Sequence, residues 1–293
     1  MKARVIKIIS NQYTLVHEDQ SIIEAFCTGK MRLKEQLLVG DFVEVEYREE
    51  KYGIIDILPR VNVLKRPFMA NVDQAYIMMS LEDPKFSYEL VNRMVLLIEY
   101  AKVKPIIVIS KCDLAQDADE YLTIGEYYKK MGYETYFSFK DHVEDGLIAS
   151  LKDRVSVFCG QSGVGKSSIL NNIDSSLSLK TNVISKALGR GKHTTRHVEL
   201  FEMHDGLVAD TPGFSSLNLY GIEVMTLQSR ISAFKPYNQC YYRDCKHINE
   251  PDCGIKKAVE DNLIQASFYK TYVDMVAMIE SGNYNAYSHR RLK

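Results

Sequence analysis

The chain has 293 residues, 46% of them apolar, which is enough for one to three domains with true cores. Its 37 basic and 38 acidic residues nearly cancel, which excludes a protein that coats nucleic acid over its whole surface and leaves RNA contact to local patches. No apolar stretch approaches the roughly 18 residues of a membrane span. The opening run Val5 to Ile9 is too short for a signal peptide, so no membrane contact and a cytoplasmic location are expected.

Residues 1–64 carry five short β-like runs: Arg4–Ile9, Tyr13–Val16, Ile22–Cys27, Asp41–Tyr47 and Gly53–Ile57. Five strands without a helical crossover predict a small barrel of the OB or SH3-like kind. Pro59 to Asn71 reads as a linker, centred on Lys65-Arg66-Pro67. Strands and helices then alternate. Ala75–Ser80 reads as a strand, and Tyr88–Ala101 as a helix with Leu90, Met94, Leu97 and Ile98 on one face. Strand Pro105–Ile109, helix Glu120–Met131, strand Glu134–Phe137, helix Val143–Lys152 and strand Val155–Cys159 follow. Continuous apolar strands between helices predict a mostly parallel sheet covered on both faces. Val198–Met203 and Leu207–Ala209 read as an antiparallel pair about His204-Asp205-Gly206. Beyond residue 222 the pattern is helical, with Ile255–Ile279 the longest helix.

Gly160-Gln161-Ser162-Gly163-Val164-Gly165-Lys166-Ser167 is G-x-x-x-x-G-K-S, set after an apolar strand and opening a helix through Ser168. Glycines let successive N–H groups curl around phosphate oxygens, and the helix N-terminus adds its dipole. Lys166 is expected to reach the β- and γ-phosphates, and the Ser167 hydroxyl to ligate magnesium. About 45 residues further on, Asp210-Thr211-Pro212-Gly213 matches D-x-x-G at a strand end. Asp210 is expected to hold magnesium through water, and the Gly213 N–H to meet the γ-phosphate. Between them, the basic loop Gly189–Arg196 offers Thr194 or Thr195 as a second magnesium ligand. A solvated basic loop is the other reading; both can hold, since such a loop can also meet RNA phosphates.

Ser110-Lys111-Cys112-Asp113 ends a strand and has the form of the guanine-reading N-K-x-D, with serine for asparagine. A carboxylate at Asp113 accepts from the ring N–H and exocyclic amine of guanine, which adenine does not present, so GTP is favoured over ATP. Ser138 and Lys140, after the next strand, fit a second base-side loop. This base element precedes the phosphate loop, whereas GTPases normally carry it later. The order predicts a circularly permuted α/β P-loop GTPase core.

Cys240, Cys245, His247 and Cys253 form C-x4-C-x-H-x5-C. Three soft thiolates and an imidazole favour zinc, and four protein ligands leave no open position, so the role is structural. Cys27, Cys112 and Cys159 are scattered and do not suggest disulfides.

Together with Arg66-Pro67 and Asn71-Val72-Asp73-Gln74, these motifs closely resemble the ribosome small-subunit-dependent GTPase A family over essentially the whole chain. The resemblance implies an N-terminal OB-fold (1–64), a circularly permuted GTPase domain (65–221) and a C-terminal zinc-binding helical domain (222–293). It implies a late assembly factor that binds GTP and GDP and meets the small ribosomal subunit and its rRNA, with hydrolysis stimulated by that subunit. A monomer is expected. Where Ras-like GTPases place a water-orienting glutamine after D-x-x-G, this chain has Phe214, and His193 in the basic loop is the candidate replacement. A scaffold with a vestigial pocket fits poorly with the intact Lys166, Ser167 and Asp210. Action on the large subunit fits poorly with the barrel and zinc cluster, and an ATPase with Asp113.

Overall fold

In the computed structural model, which describes residues 1–27, 36–65, 67–174, 198–210, 219–282 and 284, the first five strands close on themselves. They are β1 (Lys2–Ile9), β2 (Gln12–His17), β3 (Ile22–Cys27), β4 (Phe42–Arg48) and β5 (Lys51–Ile57), in the order β1-β2-β3-β5-β4. β3 runs parallel to β5, and the other neighbours pair antiparallel, β4 returning to β1. Alternate side chains point inward, and Val5, Leu15, Val43, Val45 and Ile54 fill the centre. This is the OB-fold, and closure removes the free strand edges.

The expected linker is more ordered than its composition suggested. A short hairpin, β6 (Val63–Lys65) with β7 (Phe68–Ala70), buries Leu64, Met69 and Ala70. Polar side chains fasten it. Asn71, at φ 54°, accepts from the Val61 N–H at 2.9 Å and donates to the Gly40 carbonyl at 3.0 Å. Asn tolerates this left-handed backbone because its short side chain bonds locally. Asp41, fully buried, accepts from Arg60 Nε at 2.6 Å, from Arg60 Nη2 at 2.8 Å and from the Leu38 N–H at 2.8 Å.

Six further strands make the α/β sheet: β8 (Gln74–Ser80), β9 (Lys104–Ser110), β10 (Thr135–Phe137), β11 (Val155–Gly160), β12 (Leu200–Met203) and β13 (Gly206–Asp210). Their order is β10-β9-β8-β11-β13-β12. β8 and β11 are buried throughout, as strands covered on both faces must be. β9 and β10 are parallel, as are β11 and β13, and the antiparallel pair β12–β13 turns through His204 and Asp205, both at positive φ. Helices α1 (Tyr88–Tyr100), α2 (Ala118–Lys129), α3 (Asp145–Ala149) and α4 (Lys166–Ile173) connect the strands. α3 is shorter than the expected Val143–Lys152. Leu90 and Leu97 of α1 are only half-buried, while Val91, Met94, Val95 and Ile98 are buried. The buried face is broader than the periodicity implied because α1 packs against β9 and also against a C-terminal helix.

That C-terminal region holds α5 (Val224–Arg230), α6 (Gly254–Glu260) and α7 (Ala266–Glu280). The single helix expected over Ile255–Ile279 is therefore two. Asn262, at φ 58°, ends the first: its N–H reaches the Val259 carbonyl at 3.1 Å, and the Leu263 N–H reaches Ala258 at 2.9 Å. This is the Schellman stop, which a helical apolar period does not reveal.

The chain divides into two compact units: Met1–Gln74 with Asp145–Phe158 and Lys166–Pro212, and Ala75–Glu144 with Cys159–Gly165 and Gly213–Lys293. No helix among the described residues is long and apolar enough to cross a membrane.

Candidate nucleotide site and metal centre

β11 delivers the chain into the phosphate loop through Gly160. A Cβ there would lie 2.3 Å from the Met78 carbonyl oxygen, so only glycine lets the strand leave at this point. Gly165, at φ 92°, makes the turn into α4, and a side chain would be strained there. Val164 is fully buried and anchors the loop, while Gln161, Ser162 and Gly163 are exposed. Lys166 is half-buried at the first position of α4, and Ser167 and Ser168 follow it, exposed. Backbone N–H groups and an ammonium at a helix start suit a polyphosphate.

The base element sits at the end of β9. Ser110 is 2% exposed, and its Oγ donates to the Val164 carbonyl at 2.6 Å, joining the two sequence-predicted motifs directly. Its own carbonyl accepts from the Leu81 N–H at 2.9 Å. Lys111 then takes a left-handed backbone, φ 57°, and its Nζ donates to the Asp83 carbonyl at 2.5 Å. Cys112 donates its N–H to the Ser138 carbonyl at 3.1 Å, while the Ser138 N–H reaches Ile109 at 2.9 Å. Ser138 is thus brought against Cys112. Burial pushes the Cys112 thiol up to about 12, so it remains a neutral, inert thiol. Asp113 is exposed, and so is Lys140.

The register of β11 with β13 sets Phe158 opposite Asp210, which places the start of D-x-x-G beside the strand that feeds the phosphate loop. Of Asp210 only the backbone is described. His193, Thr194, Thr195 and Gly213 lie outside the described residues.

Cys240, Cys245, His247 and Cys253 come together with ligand atoms all within 4.8 Å of one another. Cys240 Sγ lies 3.8 Å from Cys253 Sγ, and each lies 3.4 Å from His247 Nδ1. A tetrahedral zinc at about 2.3 Å from sulfur and 2.0–2.1 Å from nitrogen requires edges of about 3.5–3.8 Å, so the donor set fits zinc in number, chemistry and spacing. Burial pushes the Cys245 thiol up to about 12, and raises Cys253, in the absence of a cation; a bound dication reverses that balance. Zinc here is structural, as four ligands with no vacant position require. His247 Nε2 points away from the cluster to Gln228 Oε1 at 2.8 Å. Tyr269 and Tyr272 donate their hydroxyls to the carbonyls of His247 and Lys246 at 2.6 and 2.7 Å.

Two supports have a role that the motif reading did not assign. Asp73 accepts from the Val155 N–H at 2.7 Å, and Gln74 donates to the Ser150 carbonyl at 2.7 Å and to Ser156 Oγ at 3.0 Å, so this pair fastens the foot of β11 below the phosphate loop. Gln228 was missed because nothing in its own segment marks it as a partner of His247.

A family model described as RsgA GTPase matches residues 57–220. The Bacillus subtilis (strain 168) protein named small ribosomal subunit biogenesis GTPase RsgA is 40% identical over 291 residues, covering 95% of this chain and 97% of its own. A Bacillus cereus protein of the same name is 44% identical over 286 residues, with 95% and 97% covered. The crystal structure of YloQ, a circularly permuted GTPase, aligns with a TM-score of 0.80 at 35% identity, covering 96% of this chain and 95% of that one. That of YjeQ from Thermotoga maritima aligns at 0.79 and 31%, covering 95% and 98%. With its base element set before its phosphate loop and joined to it through Ser110 and Val164, the chain belongs to the RsgA GTPase family and is a circularly permuted GTP hydrolase.

Proposed function

We propose that this GTPase is a late assembly factor of the small ribosomal subunit, that the subunit stimulates its hydrolysis, and that hydrolysis triggers release. The support is similarity to proteins named for small-subunit biogenesis across nearly the full length of both chains. The geometric observation behind the nucleotide reading is the Ser110–Val164 bond, which sets the base element against the phosphate loop. The proposed division is an OB-fold over 1–64, a GTPase domain over 65–221 and a zinc-bearing helical domain over 222–293, all working in the cytoplasm as a monomer.

In this reading Asp113 holds the guanine edge, and Ser138 and Lys140 flank the base. Gly160 to Ser168 cradle the phosphates, with Lys166 countering their charge as it shifts toward the leaving group. Ser167 and Thr195 (or Thr194) would hold a magnesium ion, with Asp210 behind them, and the ion would supply positive charge to the triphosphate. The exposed Ser167 hydroxyl at the start of α4 fits that hard-cation chemistry. Gly213 donates its N–H to the γ-phosphate. Phe214 cannot orient water, so isolated turnover is slow, and His193 takes that task once the basic loop meets rRNA. GTP favours the docked arrangement and GDP the released one.

The test is phosphate release from GTP by the zinc-loaded protein, with and without small subunits and with excess ATP. Slow release that rises strongly with the subunit and ignores ATP is expected. Release indifferent to the subunit would overturn the ribosomal reading. Full subunit-stimulated release by His193→Ala would remove His193 from the mechanism.

A further inference from the structure

We propose that Ser110 is a positioning residue that ties the guanine-reading turn to the phosphate loop and, in doing so, leaves the N7 edge of the base unread. The proposal rests on the reading of Ser110 to Asp113 as the base element.

A hydroxyl carries one proton. That of Ser110 goes to the Val164 carbonyl at 2.6 Å, within a site where Ser110 is 2% exposed and Val164 fully buried. Guanine N7 is an acceptor and competes for the same proton. Giving that proton to N7 would strand the Val164 carbonyl without a partner in a dry environment, which costs more than one hydrogen bond to a ligand returns. Asparagine at this position has two N–H donors, one for the carbonyl and one for N7. Serine keeps the first contact and gives up the second.

The nearest donors are engaged elsewhere. The Cys112 N–H is held by the Ser138 carbonyl and its thiol by Ile109 at 3.2 Å, and Lys111 directs one of its three ammonium protons to the Asp83 carbonyl. The exposed carboxylate of Asp113 remains, and it reads only the N1–H and exocyclic amine. Base recognition by the side chains of Ser110 and Asp113 is therefore confined to the Watson–Crick edge. The Ser110 tether also fixes the Val164 carbonyl, so the same residue sets the shape of the phosphate loop.

The experiment compares GDP with 7-deaza-GDP, in which C–H replaces N7, by calorimetric titration of the full-length, zinc-loaded protein. The wild type is expected to bind both within about twofold. Ser110→Asn should bind 7-deaza-GDP about five- to tenfold more weakly than GDP, the worth of one regained hydrogen bond. Ser110→Ala, which leaves the Val164 carbonyl unpaired, should weaken both ligands about tenfold with their ratio unchanged, and Ser110→Thr should restore both. A wild-type preference of tenfold or more for GDP over 7-deaza-GDP would overturn the proposal, as would unaltered affinity in Ser110→Ala. Asp113→Asn separates this from the underlying assignment: a shift of preference to xanthosine diphosphate supports the base element, and unchanged GDP binding overturns that element whatever the 7-deaza result.

Discussion

His247 Nε2 lies 2.8 Å from Gln228 Oε1 in a buried contact, while Nδ1 of the same ring faces the sulfurs of Cys240 and Cys253 at 3.4 Å. The amide oxygen accepts a hydrogen bond from the Nε2–H, which leaves the Nδ1 lone pair for the metal and fixes the ring plane. Gln228→Leu removes that orientation without touching a ligand. Zinc affinity should fall about 10- to 100-fold, measured by competition with a chromophoric chelator. An unaltered affinity would show that the three cysteines alone orient the ring.

Removal of zinc should have a structural consequence. The segment from Asn238 to Cys253 holds no helix or strand, and it is fastened by the metal ligands and by the two tyrosine hydroxyls. Chelation should expose its backbone amides and lower the melting temperature. Hydrogen exchange before and after chelation checks this; equal protection over residues 238–253 would contradict it.

Lys166→Ala should reduce phosphate release by about a hundredfold or more, because the ammonium meets charge that grows in the transition state. Circular dichroism should be unchanged, since Lys166 is half-buried at a helix start. Retained turnover would mean that another cation serves the phosphates.

Glu99 supplies a pH dependence. It is 3% exposed, and accepts from the Ser232 N–H at 3.0 Å and from the Tyr133 hydroxyl at 3.1 Å. Burial outweighs those bonds and raises its pKa above 4.5. The folded state therefore holds the proton more tightly than the unfolded chain. Its contribution to stability is fully present below the ordinary carboxylate value and is lost as pH rises through the raised one. Glu99→Gln keeps the acceptor for Ser232 and removes the titration, so the variant should gain melting temperature relative to wild type as pH increases from 4 to 8. Parallel profiles across that range would refute the assignment.

Asp41 is fully buried against Arg60. Arg60→Ala should cost about 3–5 kcal/mol, since it strands a charge rather than deleting a contact. Urea unfolding measures it, and a loss under 1 kcal/mol would mean that water reaches the carboxylate. Replacing both residues together should cost less than Arg60→Ala alone.

The parts of the site that could be read from the chain are those whose chemistry lies within one short segment. Gly160 to Ser167 reads as an anion cradle because consecutive N–H groups and a helix start are local features. Cys240, Cys245, His247 and Cys253 are legible because the metal collects ligands closely spaced along the chain. The barrel strands followed from five short β-like runs without a helical crossover, and the central sheet from continuous apolar runs. The misreadings also have local causes. The hairpin at Val63 to Ala70 was hidden by Lys65-Arg66-Pro67, and the break at Asn262 by an apolar period that continues through it.

The sequence by itself thus determined the reaction class, the metal and the order of the motifs, since these depend on residue types at fixed short spacings. Tertiary structure decided which groups meet across long separations. Ser110 bonds to Val164 across 54 positions, Gln228 to His247 across 19, and Glu99 to Ser232 across 133. Such contacts follow from strand order and from the need to pair every buried polar atom. That requirement is met by whichever donor or acceptor the fold brings near, and no periodicity along the chain records it.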